Sequence, residues 1–239
     1  MKCEDILGWI QVFLYLLCCK CLCLQSCLKS KEDAPPSKIP VKALLLGLCK
    51  AGKTSFAKNF QTVLQAATPS ASFPLADCAA EYTATAGCVF HKEIAYRDFK
   101  LTLQEIGGGY KKYWKKYTKG CQGLIYLVND DIKASIDALE SFAVGNQDVR
   151  DWPVCILSSF TDQKGGSQAV VELETYINSR HMLKAWLPNM YIAKVASYSS
   201  PVYTAVAAEH DLRQACNYLC AGMMENMLQA LSSSMESMK

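Results

Sequence analysis

Little in this 239-residue sequence is out of balance. Basic and acidic side chains nearly cancel, 25 Lys and Arg against 22 Asp and Glu, for a formal net charge of +3. So small an excess argues for no polyanionic partner, and nucleic acid is not expected among the ligands. Histidine is scarce: His91, His181 and His210 show no metal-ligand spacing and no nucleophile–base pairing, and read as structural or solvent-exposed residues. Charged residues make up 20% and hydrophobic ones 51%, with a mean hydropathy of +0.05. The chain is therefore too apolar to be disordered and too polar to cross a membrane many times. No internal repeat is visible. Residue 2 is lysine rather than glycine, which excludes N-myristoylation. The first residues, MKCED, are not basic and no A-x-A-like site follows the apolar run behind them, which argues against a cleaved signal peptide. At ~150 residues per domain, the length suits one sizeable core with appendages.

Cysteine is what the chain has in excess, 13 in all. The number is odd and the chain too long for a small disulfide-stapled scaffold. Cys49, Cys78, Cys88, Cys121, Cys155, Cys216 and Cys220 are scattered, mostly within apolar runs, and read as small buried hydrophobes. Cys3, Cys18, Cys19, Cys21, Cys23 and Cys27 crowd the N-terminus. Residues 6–24, ILGWIQVFLYLLCCKCLCL, would make a helix of about 28 Å at ~1.5 Å per residue, enough for a thin bilayer. Glu4 and Asp5 precede it while Lys20, Lys29 and Lys31 follow, so the remainder of the chain is expected on the cytoplasmic side of a membrane. Cys18, Cys19, Cys21, Cys23 and Cys27 are then candidates for reversible S-palmitoylation in a reducing compartment. A metal site is the rival for these thiols, but no His or acidic ligand is interleaved. The expected organisation is an anchor at 1–29, a stiff linker at 30–40 carrying Pro35, Pro36 and Pro40, a globular domain at 41–232, and a frayed tail at 233–239.

The domain opens with a short apolar run, residues 41–47, as for a strand buried on both faces. It leads into Gly47-Leu-Cys-Lys-Ala-Gly52-Lys53-Thr54 and then into the helical stretch KTSFAKNFQTVLQA. This is G-x-x-x-x-G-K-[ST] between strand and helix, a loop whose backbone N–H groups wrap phosphate oxygens at a helix N-terminus. Gly47, Lys50, Ala51, Gly52, Lys53, Thr54 and Ser55 form the candidate phosphate-binding set. Within it Lys53 is placed to reach the β- and γ-phosphates, and the Thr54 hydroxyl to ligate Mg²⁺. Strand-like runs follow at 88–95 and 99–106 (a hairpin), 123–129, 154–159 and 190–195, with helical patterns at 132–144, 169–180 and 205–231. Alternation of this kind predicts an α/β fold with a mostly parallel sheet between helices.

From residue 41 to 231 the sequence resembles the ADP-ribosylation factor and ARF-like small GTPases. GLCKAGKTS resembles the family's GLDxAGKTT loop, Thr85-Ala86-Gly87 its T-x-G at the first switch, and Glu105-Ile106-Gly107-Gly108 its D-x-G-G at the second. Trp114-Lys-Lys-Tyr117 and the strand from Gly123 resemble its W-x-x-Y and next strand. The resemblance implies a P-loop GTPase fold binding GTP or GDP with Mg²⁺. It implies Thr54 and Thr85 beside the metal, Glu105 reaching it through water, and the Gly108 N–H on the γ-phosphate. Departures are specific. Glu105 stands for the family's aspartate, and the segment between Gly108 and Trp114 is two residues shorter. Gly109 stands where the family has the glutamine that orients water, so no catalytic residue is assigned and slow or absent hydrolysis is expected. In the guanine-reading segment Ser159-Phe160-Thr161-Asp162 only the aspartate matches. Asp162 would take the base N–H groups and Phe160 would lie where a lysine stem covers the base. Ser159 and Ala196 complete the base-contact set. Thr85 follows Lys53 by 32 positions, about 14 more than the family pattern needs, which predicts a surface loop. Of three aromatics the family places under its effector surface only Tyr117 is present, with Cys88 and Gln104 at the other two positions.

The resulting expectation is a membrane-tethered nucleotide-dependent switch. The alternatives are a non-catalytic pseudo-GTPase interaction module, or a subunit resembling the signal-recognition-particle receptor β chain. Residues 110–119, YKKYWKKYTK, carry five lysines among four aromatics. An α-helix would set Tyr110, Tyr113, Trp114 and Tyr117 against the sheet and the lysines in water, or toward anionic headgroups. Met223, Met224 and Met227 read as core.

Overall fold

A computed structural model describes residues 38–65, 85–91, 93–158, 166–194 and 205–236. The apolar N-terminal run 6–24, the lipidation candidates Cys18, Cys19, Cys21, Cys23 and Cys27, and the surface loop expected before Thr85 lie outside them. Among the described residues no helix is long and apolar enough to cross a membrane.

Among the described residues seven strands form one sheet in the order β2-β4-β1-β5-β6-β7, with β3 also paired to β4. β1 (Ile39–Gly47), β5 (Gly123–Val128) and β6 (Val154–Ser158) are the near-continuous apolar runs; from Ala43 to Gly47 and throughout β5 and β6 every residue is buried. Burial on both faces is what a central parallel sheet requires of its strands. β1 with β5, β5 with β6, and β6 with β7 (Met190–Lys194) pair in parallel. Their C-terminal ends share one edge, where Gly47 pairs with Leu127 and Ser158 with both Val128 and Lys194. Loops leaving such an edge are where α/β sheets bind ligands.

The antiparallel side is β2 (Cys88–Phe90), β3 (Ile94–Tyr96) and β4 (Phe99–Ile106). The sequence predicts one strand over 88–95, yet the register shifts within it: Phe90 faces Gln104, whereas Ile94 faces Leu101. One extra residue is accommodated between β2 and β3, which is a β-bulge.

Helices cover both faces. α1 (Lys53–Gln65) and α5 (Ala205–Glu236) pack on one; α2 (Ile132–Ala143), α3 (Gly166–Asn178) and α4 (His181–Trp186) pack on the other. Asp131 caps α2 by accepting from the Ala134 N–H at 2.9 Å. α5 runs past residue 231 to Glu236; the Ser232 and Ser233 hydroxyls bond back to the Gln229 carbonyl at 2.9 and 3.0 Å, tying the serine-rich stretch to the helix. Met223 is fully buried; Met224 and Met227 are half-buried.

Residues Gly108–Tyr117 form a 3₁₀ helix kinked at Tyr110 rather than an α-helix. At three residues per turn, Trp114 and Tyr117 share a face and Tyr110 and Tyr113 share another. Trp114 is accordingly buried, edge-on to Tyr126 and Phe142. Tyr110 and Tyr113 are exposed, with the Lys112 and Lys116 ammonium groups about 5 Å from the Tyr113 ring. The shared aromatic face that α-helical spacing predicts is therefore split in two.

Candidate functional site

The loop after β1 is shaped by its backbone. A Cβ on Gly47 would lie 2.5 Å from the Leu127 carbonyl oxygen, so β1 and β5 approach too closely there for any other residue. Lys50 and Gly52 then take left-handed conformations, φ 63° and 76°, which curl the chain into α1. Ala51 is buried, Ser55 is half-buried, and the Phe56 N–H bonds to the Gly52 carbonyl at 2.8 Å as the helix begins. The Lys53 ammonium points back into the loop, donating to the Gly47 and Leu48 carbonyls, each at 2.9 Å. Burial lowers the Lys53 pKa, partly offset by the Glu105 carboxylate and Cys49. An ammonium has three donors, so one N–H remains for an anion held in the loop.

Below the loop, three of the predicted residues converge. The Thr54 and Thr85 hydroxyls donate to the same Glu105 oxygen, Oε1, at 2.7 and 2.9 Å, and lie 3.1 Å from each other. The other carboxylate oxygen, Oε2, meets His91 Nε2 at 2.8 Å. Burial would push the Glu105 carboxyl up, but the hydrogen bonds from His91, Thr54 and Thr85 outweigh it and hold the pKa below its ordinary value. An ionised carboxylate only accepts, so Nε2 is the protonated nitrogen of His91.

This donor set fits a magnesium ion. Octahedral Mg²⁺ bonds of about 2.0–2.1 Å set neighbouring oxygens about 2.9 Å apart, close to the Thr54–Thr85 separation. With both hydroxyl hydrogens turned to Glu105, the oxygens' lone pairs are left for a cation. Among the described residues no group of three or more His, Cys, Asp and Glu is arranged to hold a metal.

The glycines after Glu105 close the site from the other side. A Cβ on Gly107 would fall 2.1 Å from the Thr85 carbonyl oxygen, and one on Gly108 would fall 2.2 Å from the Cys49 amide nitrogen. The Gly107 N–H also bonds to the Gly87 carbonyl at 2.9 Å. Gly109 stands free, with nothing within 4 Å of the position its Cβ would take.

Gly47, Lys50, Ala51, Gly52, Lys53, Thr54, Ser55, Thr85, Glu105 and Gly108 are thus gathered at one edge of the sheet. Ser159, Asp162 and Ala196 lie outside the described residues. Gln104 is buried, donating to Cys88 Sγ and accepting from Cys121 Sγ, so the two non-aromatic substitutions at 88 and 104 form one polar chain. Of the scattered cysteines that are described, Cys121, Cys155, Cys216 and Cys220 are buried as expected, Cys88 is half-buried and Cys49 is exposed.

Sequence reasoning missed two participants. Asn129 follows β5, donates to the Cys49 carbonyl at 3.4 Å and accepts from the Ser135 hydroxyl at 2.8 Å, joining the phosphate loop to α2. An asparagine at the end of a buried strand was the available signal. His91 meets Glu105 across the hairpin, a neighbourhood that the spacing of histidines along the chain does not show.

Comparison with known proteins agrees with the fold. Residues 28–194 match the ADP-ribosylation factor family. Over 138 residues, 55% of this chain and 67% of that protein, the sequence is 26% identical to ADP-ribosylation factor-like protein 3 of Caenorhabditis elegans. Two solved structures from Trypanosoma brucei are similar in fold. One is the Arl6 BBS3 small GTPase with a bound nucleotide analogue, GppNp: 16% identical, covering 75% of this chain and 99% of that one, TM-score 0.51. The other is a GTP-bound IFT22/74/81 structure: 20% identical, covering 80% and 98%, TM-score 0.53.

Proposed function

The chain belongs to the ADP-ribosylation factor family as an ARF-like GTP-binding protein, and on that premise we propose that it is a membrane-tethered, Mg²⁺-dependent guanine-nucleotide switch with slow or absent intrinsic hydrolysis. The observation that carries this reading is the convergence of Thr54, Thr85 and Glu105 within hydrogen-bond distance of one another. They come from the phosphate loop, the segment before β2 and the end of β4. A group bound between them would tie the three together.

In the bound state Lys53 neutralises phosphate charge while its other two donors brace the loop. Magnesium, when held by Thr54 and Thr85, supplies charge neutralisation at the phosphates. Glu105 accepts from both hydroxyls and fixes their orientation. The backbone of Gly107 and Gly108, lodged between Thr85 and Cys49, senses whether the terminal phosphate is present; its loss frees both segments. Asp162 and Ser159 select the base. The apolar run 6–24 and its cysteines hold the domain at the cytoplasmic face of a membrane, and the partners are a protein effector and an exchange factor.

Titrating the purified full-length chain with mant-GTP and mant-ATP in Mg²⁺ tests the central claim. Saturable, Mg²⁺-dependent binding that favours the guanine nucleotide and weakens at least about tenfold in Lys53→Ala is expected. No saturable binding of either nucleotide sinks the reading. Carbonate extraction with and without hydroxylamine tests the tether, which fails if the protein washes off membranes in both conditions.

Gly109 favours one second reading, a non-catalytic module that binds its partner in any nucleotide state. Turnover indistinguishable from the protein-free rate, with partner binding insensitive to nucleotide, would select it.

A further inference from the structure

The β2–β3 bulge has no counterpart in the phosphate-loop motif, yet it delivers a side chain to the heart of the site. The His91 N–H bonds to the Leu103 carbonyl at 2.9 Å, so residues 91 and 103 face each other across the hairpin. Val89 faces Glu105 two pairs further on. His91 and Glu105 are therefore diagonal neighbours on the same face of the sheet, within reach for a long side chain. The His91 side chain is 13% exposed and that of Glu105 1%. A bulge re-aims the side chain beside it, and here the imidazole is turned onto the outer oxygen of the carboxylate.

The carboxylate is one methylene longer than an aspartate, with one more rotatable bond between backbone and oxygens. Left alone, it would sample several orientations. All of its donors are supplied instead by three different segments: Thr54 and Thr85 at Oε1, and His91 at Oε2. A buried carboxylate held by donors from three segments at once is confined to far fewer arrangements.

We infer that His91 is a positioning residue for Glu105, holding the carboxylate so that Oε1 orients the Thr54 and Thr85 hydroxyls toward Mg²⁺. The inference rests on the switch reading above and extends it, since it makes the strand hairpin part of the metal site. His91 itself touches neither phosphate nor metal.

The test is release of mant-GDP and mant-GTP from the full-length chain as free Mg²⁺ is varied, with thermal unfolding of the same samples. His91→Phe keeps the ring and loses the N–H. It should raise the Mg²⁺ concentration for half-maximal nucleotide retention by up to about tenfold, the low end for a partner behind a metal ligand because His91 stands one group further out, while retention in EDTA stays unchanged. His91→Ala should give the same shift, and His91→Gln, which restores an Nε2–H donor, should recover most of it. In a Glu105→Asp background the shorter carboxylate no longer reaches residue 91, and His91→Phe should add nothing further. An unchanged Mg²⁺ midpoint overturns the inference. So does an equal shift in both backgrounds, or an equal loss of retention in Mg²⁺ and EDTA. A wild-type chain that retains no nucleotide overturns the switch reading and this inference together, whereas retention with an unmoved midpoint removes this inference alone.

Discussion

Gly108 and Cys49 are in backbone contact: a methyl group on Gly108 would lie 2.2 Å from the Cys49 amide nitrogen and 2.4 Å from the Leu48 carbonyl carbon. The segment after β4 and the phosphate loop thus touch through main chain alone. Gly107 is constrained in the same way by Thr85, so two of three consecutive glycines have no substitute. Gly109, beside them, has room for one.

That contrast lets the proposed lack of a water-positioning side chain at 109 be tested apart from folding. Gly109→Gln should fold normally and raise single-turnover GTP hydrolysis by on the order of 10²-fold, the scale of one well-placed polar group at a reacting centre. Gly108→Ala should instead cost about 1–3 kcal/mol of stability through overpacking and weaken nucleotide retention. Hydrolysis unmoved by Gly109→Gln, in a variant that still binds GTP, would mean that the residue at 109 does not limit it.

The 3₁₀ helix makes a second contrast testable. Trp114→Ala removes a fully buried indole packed on Tyr126 and Phe142 and should cost about 3–5 kcal/mol in urea unfolding. Tyr113→Ala, one residue away on the exposed face, should stay within ~0.5 kcal/mol. Equal losses would restore the α-helical reading of this segment.

Glu105 sets an acid limit on stability. Its folded pKa is depressed, so its contribution is complete above the unfolded carboxylate value of about 4.3 and is lost as pH falls through the lower folded value. The melting temperature of Glu105→Gln should therefore depend less on pH than wild type across that range. Parallel acid profiles for the two proteins would show that the carboxylate is not held this way.

Thiol accessibility divides the described cysteines. Peptide mapping after brief native alkylation at pH 8 should find Cys49 modified and Cys121, Cys155 and Cys216 protected. Burial pushes the Cys121 thiol up to about 11 and the Cys155 thiol higher still, leaving almost no thiolate to react. Bound GTP should shield Cys49, whose amide abuts Gly108. Rapid labelling of Cys155 would contradict the packing of β6 against α5, where its Sγ bonds to the Ala215 carbonyl.

Much of this was legible along the chain because the phosphate loop and the parallel strands are local signals. Residues 41–47 had to be a buried strand and 53–65 a helix for the motif between them to work, and both elements are present, β1 starting two residues earlier. What escaped was set by pairing across the chain. The bulge between Phe90 and Ile94 exists only relative to β4, so the pattern along the chain reads as one strand and shows no partner for His91. Likewise the fate of Tyr110 and Tyr113 depended on 3.0 rather than 3.6 residues per turn. Composition cannot distinguish these, because the same Trp114 is buried by either helix.

That helix has a mechanical consequence. The five residues between Gly108 and Trp114, kinked at Tyr110, would rise ~2.0 Å each as 3₁₀ but only ~1.5 Å each as α, so rewinding them would shorten that stretch by roughly 2.5 Å. One end abuts the phosphate loop through Gly108 and the middle is pinned in the core by Trp114. That change in length falls on the exposed turn between the two anchors, where Lys111, Lys112 and Tyr113 face solvent.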